Sequence, residues 1–111
     1  MNIKDLNLFA MQIITHAGDC RNLVNEALCL LEKNEDYTVV DKKMDEAHKQ
    51  ITEAHKIQTK VIQETILDEN FYGSLLFTHA QDTLMTINSE YLTAKNLIAL
   101  YKKMEEKLKN V

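Results

Sequence analysis

The sequence predicts an all-α protein, a single domain spanning residues 1–111 and built as an antiparallel three-helix bundle. Three observations carry that prediction. The chain has no proline and only two glycines, Gly18 and Gly73, so it lacks the turn residues a sheet protein of this size needs. Apolar residues recur in steps of three and four over three long stretches. Only two short polar segments interrupt them, as an up-down-up bundle requires. With 111 residues there is chain for one core, adequate but not generous.

The first helix follows the seam Leu6, Ala10, Ile13, Ala17, Cys20, Val24, Ala27, Leu31 in alternating steps of four and three. That is the heptad period of helices packed close to antiparallel. Ala10, Ala17 and Ala27 are small enough to let a neighbour approach. Gly18, inside this helix, costs about 1 kcal/mol against alanine and marks either a tight contact or a tolerated defect. The polar run Glu32–Thr38 ends the seam and holds the first turn.

The second helix carries Val40, Met44, Ala47, Ile51, Ala54 and Val61, with Gln58 and Thr65 as polar residues on the same stripe. A buried polar group needs a partner, so Thr65 is expected to bond locally, while Gln58 stays open. Asp68–Gly73 forms the second connection, with Phe71 and Tyr72 near a helix end. The third helix has the longest seam: Phe77, Ala80, Leu84, Ile87, Tyr91, Ala94, Ile98, Tyr101, then Leu108. Each helix is about 30 to 38 residues, hence roughly 45 to 55 Å long at 1.5 Å per residue. Leu75, Met85, Leu92 and Leu97 lie off the third seam, so self-association through the third helix is expected to bury them.

A formal charge of −4 removes nucleic-acid binding from the candidate functions, since a basic footprint is needed to displace counterions from phosphates. Lys102, Lys103, Lys107 and Lys109 alternate with Glu105 and Glu106, which reads as a solvated helix end. No apolar run reaches spanning length and no signal peptide is apparent, so direct membrane insertion is not expected. Cys20 and Cys29 fall in one helix, too far apart to be bridged, and are expected to be two buried reduced thiols of a cytoplasmic protein.

The chemistry-bearing stretch is Leu75-Leu76-Phe77-Thr78-His79-Ala80-Gln81-Asp82-Thr83-Leu84-Met85. At 100° per residue His79 sits roughly 100° from the seam centre, at the border of the core beside a polar strip. Leu75, Asp82, Thr86 and Ser89 share that strip, with Thr83 on the other side of the histidine. A zinc site is poorly supported, because only His79 and Asp82 have ligand spacing. A serine-histidine-acid triad lacks a nucleophile elbow. A histidine nucleophile needs less: a neutral ring, a reachable nitrogen, and donors for phosphoryl oxygens, which Thr78, Gln81 and Thr83 offer. Spacing alone still favours a structural histidine. His16 and His48 have no paired ligand, His48 and His55 stand two turns apart, and His55 with Gln58 makes at most a local polar pair.

At this stretch the chain resembles the lactose/cellobiose-type enzyme IIA components of the bacterial sugar phosphotransferase system, whose signature reads L-L-x-x-H-A-Q-D-H-L-M-T. Ala54-His55-x-x-Gln58-Thr59-x-x-Ile62 resembles the family's A-H-x-x-Q-T-x-L-I stretch. Ile13-Ile14-x-x-Ala17-Gly18-x-x-Arg21 with Glu26-Ala27-Leu28 resembles its first-helix pattern. The resemblance touches all three helices and covers nearly the whole chain.

It implies a homotrimer with the third helices around the axis. His79 is then the residue phosphorylated by the phosphocarrier HPr, which passes the group to the IIB component of a permease for a disaccharide such as lactose or cellobiose. Gln81, Thr83 and Thr78 support the phosphoryl site. Asp82 meets its two symmetry mates and holds one divalent ion, Mg2+, per trimer. The alternative is a helical interaction or regulatory module that kept the bundle and lost transfer. Two positions depart from the family: Thr83 replaces its second histidine, and Asp68 stands where glycine is common. Threonine can donate to a phosphoryl oxygen but cannot carry a proton at neutral pH, so an altered transfer rate or partner choice is expected.

Overall fold

The computed structural model describes residues 1–111 and consists of three helices, α1 (Ile3–Glu32), α2 (Tyr37–Thr65) and α3 (Leu75–Lys109). Each begins at a residue whose side chain satisfies an otherwise unbonded amide of the first turn. Asn2 accepts from the Asp5 amide at 2.8 Å, Asp36 from the Thr38 amide at 3.0 Å, and Ser74 from the Phe77 amide at 3.0 Å. Asn34, just past α1, takes the left-handed conformation with φ 59°, which asparagine tolerates better than most side chains. The rod measures 65 × 19 × 18 Å.

One cluster of 21 buried apolar residues runs the length of the rod. All eight expected seam residues of α1 are in it. So are Val40, Met44, Ala47, Ile51, Ala54 and Val61 of α2, and Phe77 through Ile98 of the α3 seam. Thr65 is buried and donates to the Val61 carbonyl at 2.6 Å, so its hydroxyl is satisfied within its own helix. Gln58 is half-buried. Leu84 is fully buried. Leu84→Ala should therefore cost about 2 to 5 kcal/mol, read as a lowered denaturant midpoint at unchanged slope.

Two expectations fail, each for a geometric reason, and one open alternative is decided. Tyr101 and Leu108 are 38% and 72% exposed, because α3 reaches the end of α1 at Tyr101 and has outrun both partners by Leu108. Tyr101 is level with the α1–α2 connection, where its hydroxyl donates to Asn34 Oδ1 at 3.2 Å, and Leu108 lies beyond it. Cys20 is buried but Cys29 is exposed. Nine residues are about 180° at 100° per residue, so the two thiols cannot share a face. Burial, and then the Glu90 carboxylate, push the Cys20 thiol up to about 11. Gly18 makes no tight contact, since a Cβ there would meet nothing within 4 Å.

Polar ties between helices fix the register. Arg21 of α1 grips Glu90 of α3 with two bonds at 2.8 and 2.9 Å. Lys102 of α3 grips Asp41 of α2 at 2.7 and 2.8 Å. His16 pairs with Gln50 at 2.8 Å and His55 with Asn88 at 3.3 Å. At the far end Tyr37 donates to Glu105 at 2.6 Å, which pushes its phenol up to about 12 because the carboxylate favours the protonated hydroxyl. Glu105→Gln should lower the Tyr37 midpoint in a spectrophotometric titration. An unchanged alkaline titration would show that this bond does not form in solution.

Candidate functional site: the exposed histidine of the third helix

His79 lies on the second turn of α3 and is exposed. The inter-helix ties show which way each neighbouring side chain projects. Glu90, bonded to Arg21, marks the flank of α3 beside α1. Asn88 and Lys102, bonded to His55 and Asp41, mark the flank beside α2. His79 precedes Glu90 by eleven residues, a displacement of about 20° at 100° per residue, so both share the α1 flank. Thr83 is half-buried on that same flank, about 40° from His79.

The other expected support residues stand elsewhere. Gln81 is half-buried on the α2 flank, about 160° around the helix from His79. Thr78 is exposed and its hydroxyl donates to the Ser74 carbonyl at 3.2 Å, about 100° away from the histidine. Asp82 is exposed and points away from the core, on a strip with Met85, Ser89, Leu92 and Asn96. Within one protomer, then, only Thr83 among these residues accompanies His79. No group of three His, Cys, Asp or Glu side chains in the chain is placed to hold a metal ion. Asp82 offers one carboxylate per chain, so a divalent ion fits there only if copies converge.

One residue of α1 gave no sequence signal. Asn7, a step after the seam residue Leu6, carries a buried Oδ1 with no hydrogen-bond partner. A surface hollow of about 610 Å³ lies far from His79. It is an open groove between α2 and α3, lined by Met44, His48, Tyr91 and Lys95 among others. Tyr91 is twelve residues beyond His79, roughly 18 Å along the helix. His79 itself is exposed on the helix surface rather than set in that hollow.

A sequence model of the PTS system lactose/cellobiose-specific IIA subunit family matches residues 8–102. The chain belongs to that family. It is 34% identical over 103 residues to the lactose-specific EIIA component of Staphylococcus epidermidis, covering 93% of this chain and 98% of that one. It is 33% identical over 103 residues to the lichenan-specific phosphotransferase enzyme IIA component of Bacillus subtilis, covering 93% of each. Among solved structures, the cellobiose-specific enzyme IIA of Bacillus anthracis superposes with a TM-score of 0.83 at 34% identity, over 96% of this chain and 95% of that one. PtcA from S. mutans gives the same TM-score and identity over 92% and 99%.

Family membership gives the IIA chain's residues a common context. The matched range contains His79, Gln81, Asp82 and Thr83 together with the two interhelical histidine ties. No helix of the IIA chain is long and apolar enough to cross a membrane. Its Arg21–Glu90 pair is half-exposed at both ends and worth at most about 1 kcal/mol.

Proposed function

We propose that this IIA chain is a phosphoryl carrier: His79 accepts a phosphoryl group from HPr and passes it to a IIB component of a disaccharide permease, in the cytoplasm. The observation that supports this most is the exposure of His79 inside the family's signature segment, on a rigid helix. In the transfer, a ring-nitrogen lone pair of His79 attacks the phosphorus of the HPr phosphohistidine in line. The new N–P bond forms as the old one breaks, and the departing ring keeps the electron pair. The transition state is loose, so positioning and hydrogen-bond donors carry most of the catalysis. Thr83 supplies a hydroxyl donor on the same flank.

Three copies assembled around the exposed α3 strip would complete the site. That strip carries Met85 and Leu92, 54% and 48% exposed in the single chain. With the strip on a threefold axis, the His79 flank of one protomer faces the opposite flank of the next, which bears Gln81. The family's glutamine then donates across the interface, and its distance from His79 within one chain is explained. The same assembly brings three Asp82 carboxylates together. Such a cluster resists burial without a cation, and Mg2+ bound there would neutralise their mutual repulsion. Asp82→Leu should leave the trimer folded and remove its metal, as read by elemental analysis. Unchanged metal content would exclude the axial site.

Thr83 favours the competing reading, a non-transferring interaction module, because it lacks the second imidazole of the signature. Incubation with phosphoenolpyruvate and enzyme I, with and without HPr, separates the two. The carrier gains one acid-labile phosphoryl group only when HPr is present. A module that has lost transfer gains none in either case.

A further inference from the structure

A polar atom sealed from water without a partner is uncommon, because its desolvation is uncompensated. The side-chain oxygen of Asn7 is the one such atom here. Its position is fixed by the helix register. Arg21 and Glu90 are bonded across α1 and α3, which run in the same direction, so the same offset sets Asn7 level with Leu76. Asn7 precedes Arg21 by fourteen residues, about 40° around α1 at 100° per residue, so it lies on the side of α1 that borders α3. His79 stands one turn beyond Leu76, roughly 4.5 Å along the axis, on the flank of α3 that borders α1. An acceptor without a donor and an exposed imidazole therefore border the same groove, one helical turn apart.

We propose that Asn7 is a positioning residue for His79: when the ring turns inward, Asn7 Oδ1 accepts one ring N–H and leaves the other nitrogen as the nucleophile. This rests on the phosphoryl-carrier reading. An exposed imidazole samples both tautomers and several rotamers, and only one combination aims a lone pair at the incoming phosphorus. The N–H held by Asn7 stays on the ring throughout. The N–P bond to the donor breaks, the N–P bond to His79 forms, and no proton has to leave. An amide oxygen accepts a hydrogen bond but is too weak a base to take that proton. The phosphorylated ring therefore stays protonated and remains a good leaving group for the onward step. A carboxylate at this position would over-stabilise the cationic ring; an aliphatic side chain would orient nothing.

The test uses the full-length chain labelled with 15N, reading the His79 tautomer by long-range 1H–15N correlation at a pH where the ring is neutral. One tautomer should dominate in the unaltered protein. Asn7→Leu, which keeps the branched shape and removes the acceptor, should give the mixture of a free imidazole and slow phosphoryl acceptance about ten-fold, the scale on which outer partners of an imidazole act. Asn7→Asp should restore the single tautomer. A merely structural asparagine predicts otherwise: Asn7→Leu would then raise the thermal midpoint by removing a buried orphan while tautomer and rate stay put. That outcome overturns the proposal. The tautomer measurement needs no phosphoryl transfer, so a protein that HPr does not phosphorylate would sink the carrier reading separately.

Discussion

In the proposed trimer, Leu92→Glu is expected to give monomers that keep their helix content. Leu92 is 48% exposed in the single chain and lies on the outward strip of α3 with Asp82, Met85, Ser89 and Asn96, away from the intramolecular core. The single-chain fold therefore tolerates a charge there. Since the side chain is already half covered, burying the rest of it at an interface would contribute about 1 kcal/mol per copy. Three glutamates converging on an axis would add repulsion and desolvation to that loss. Sedimentation should show one-third of the unaltered protein's mass, and circular dichroism should be unchanged. A Leu92→Glu protein that sediments like the parent would place the self-association surface elsewhere.

His79→Ala should abolish phosphoryl acceptance from HPr while leaving stability within about 0.5 kcal/mol, because the exposed ring contributes little packing. Loss of the nucleophile removes the reaction outright, not merely its rate, since no other group on that flank can form the N–P bond. Thr83→Val separates positioning from nucleophilicity. It keeps the shape of a half-buried side chain but removes the hydroxyl, and a hydrogen bond to a charged oxygen is worth about 1.5 to 3 kcal/mol. Acceptance should then slow by about ten-fold or more, with the phosphoryl group still ending on His79. If Thr83→Val were as dead as His79→Ala, threonine would have a larger part than a donor.

The bundle was legible because its cause is periodic. Every seam residue of α1 from Leu6 to Leu31 is buried, since a strict alternation of three and four leaves one continuous apolar face. Periodicity fails where the partner runs out. Leu108 continues the α3 seam in sequence, yet α1 and α2 do not extend that far, and Tyr101 falls at the end of α1 with the first residue of α2, Tyr37, edge-on to its ring at 6.5 Å. Cys29 shows the complementary limit, an apolar residue type lying on the face of α1 opposite the core.

The site was only partly legible for a different reason. His79 and Thr83 share a flank because four residues are about one turn, which sequence spacing shows directly. The separation of Gln81 from His79 follows from the same wheel; in the proposed trimer the two flanks meet across an interface, which no spacing within one chain describes. Asn7 offered nothing to read: a lone asparagine next to a seam leucine is ordinary, and only the burial of its unpaired oxygen distinguishes it. Gly18 was ambiguous in sequence, and the open space around it within the chain removes the tight intramolecular contact as its explanation.

The most direct test of the phosphoryl-carrier account is to locate the phosphoryl group. The unaltered protein would be phosphorylated through enzyme I and HPr, digested under alkaline conditions that spare phosphohistidine, and sequenced by tandem mass spectrometry. The chain has four histidines, so the assay can discriminate. The account predicts a single modified residue, His79. A phosphoryl group on His16, His48 or His55, or on no residue at all, would contradict it.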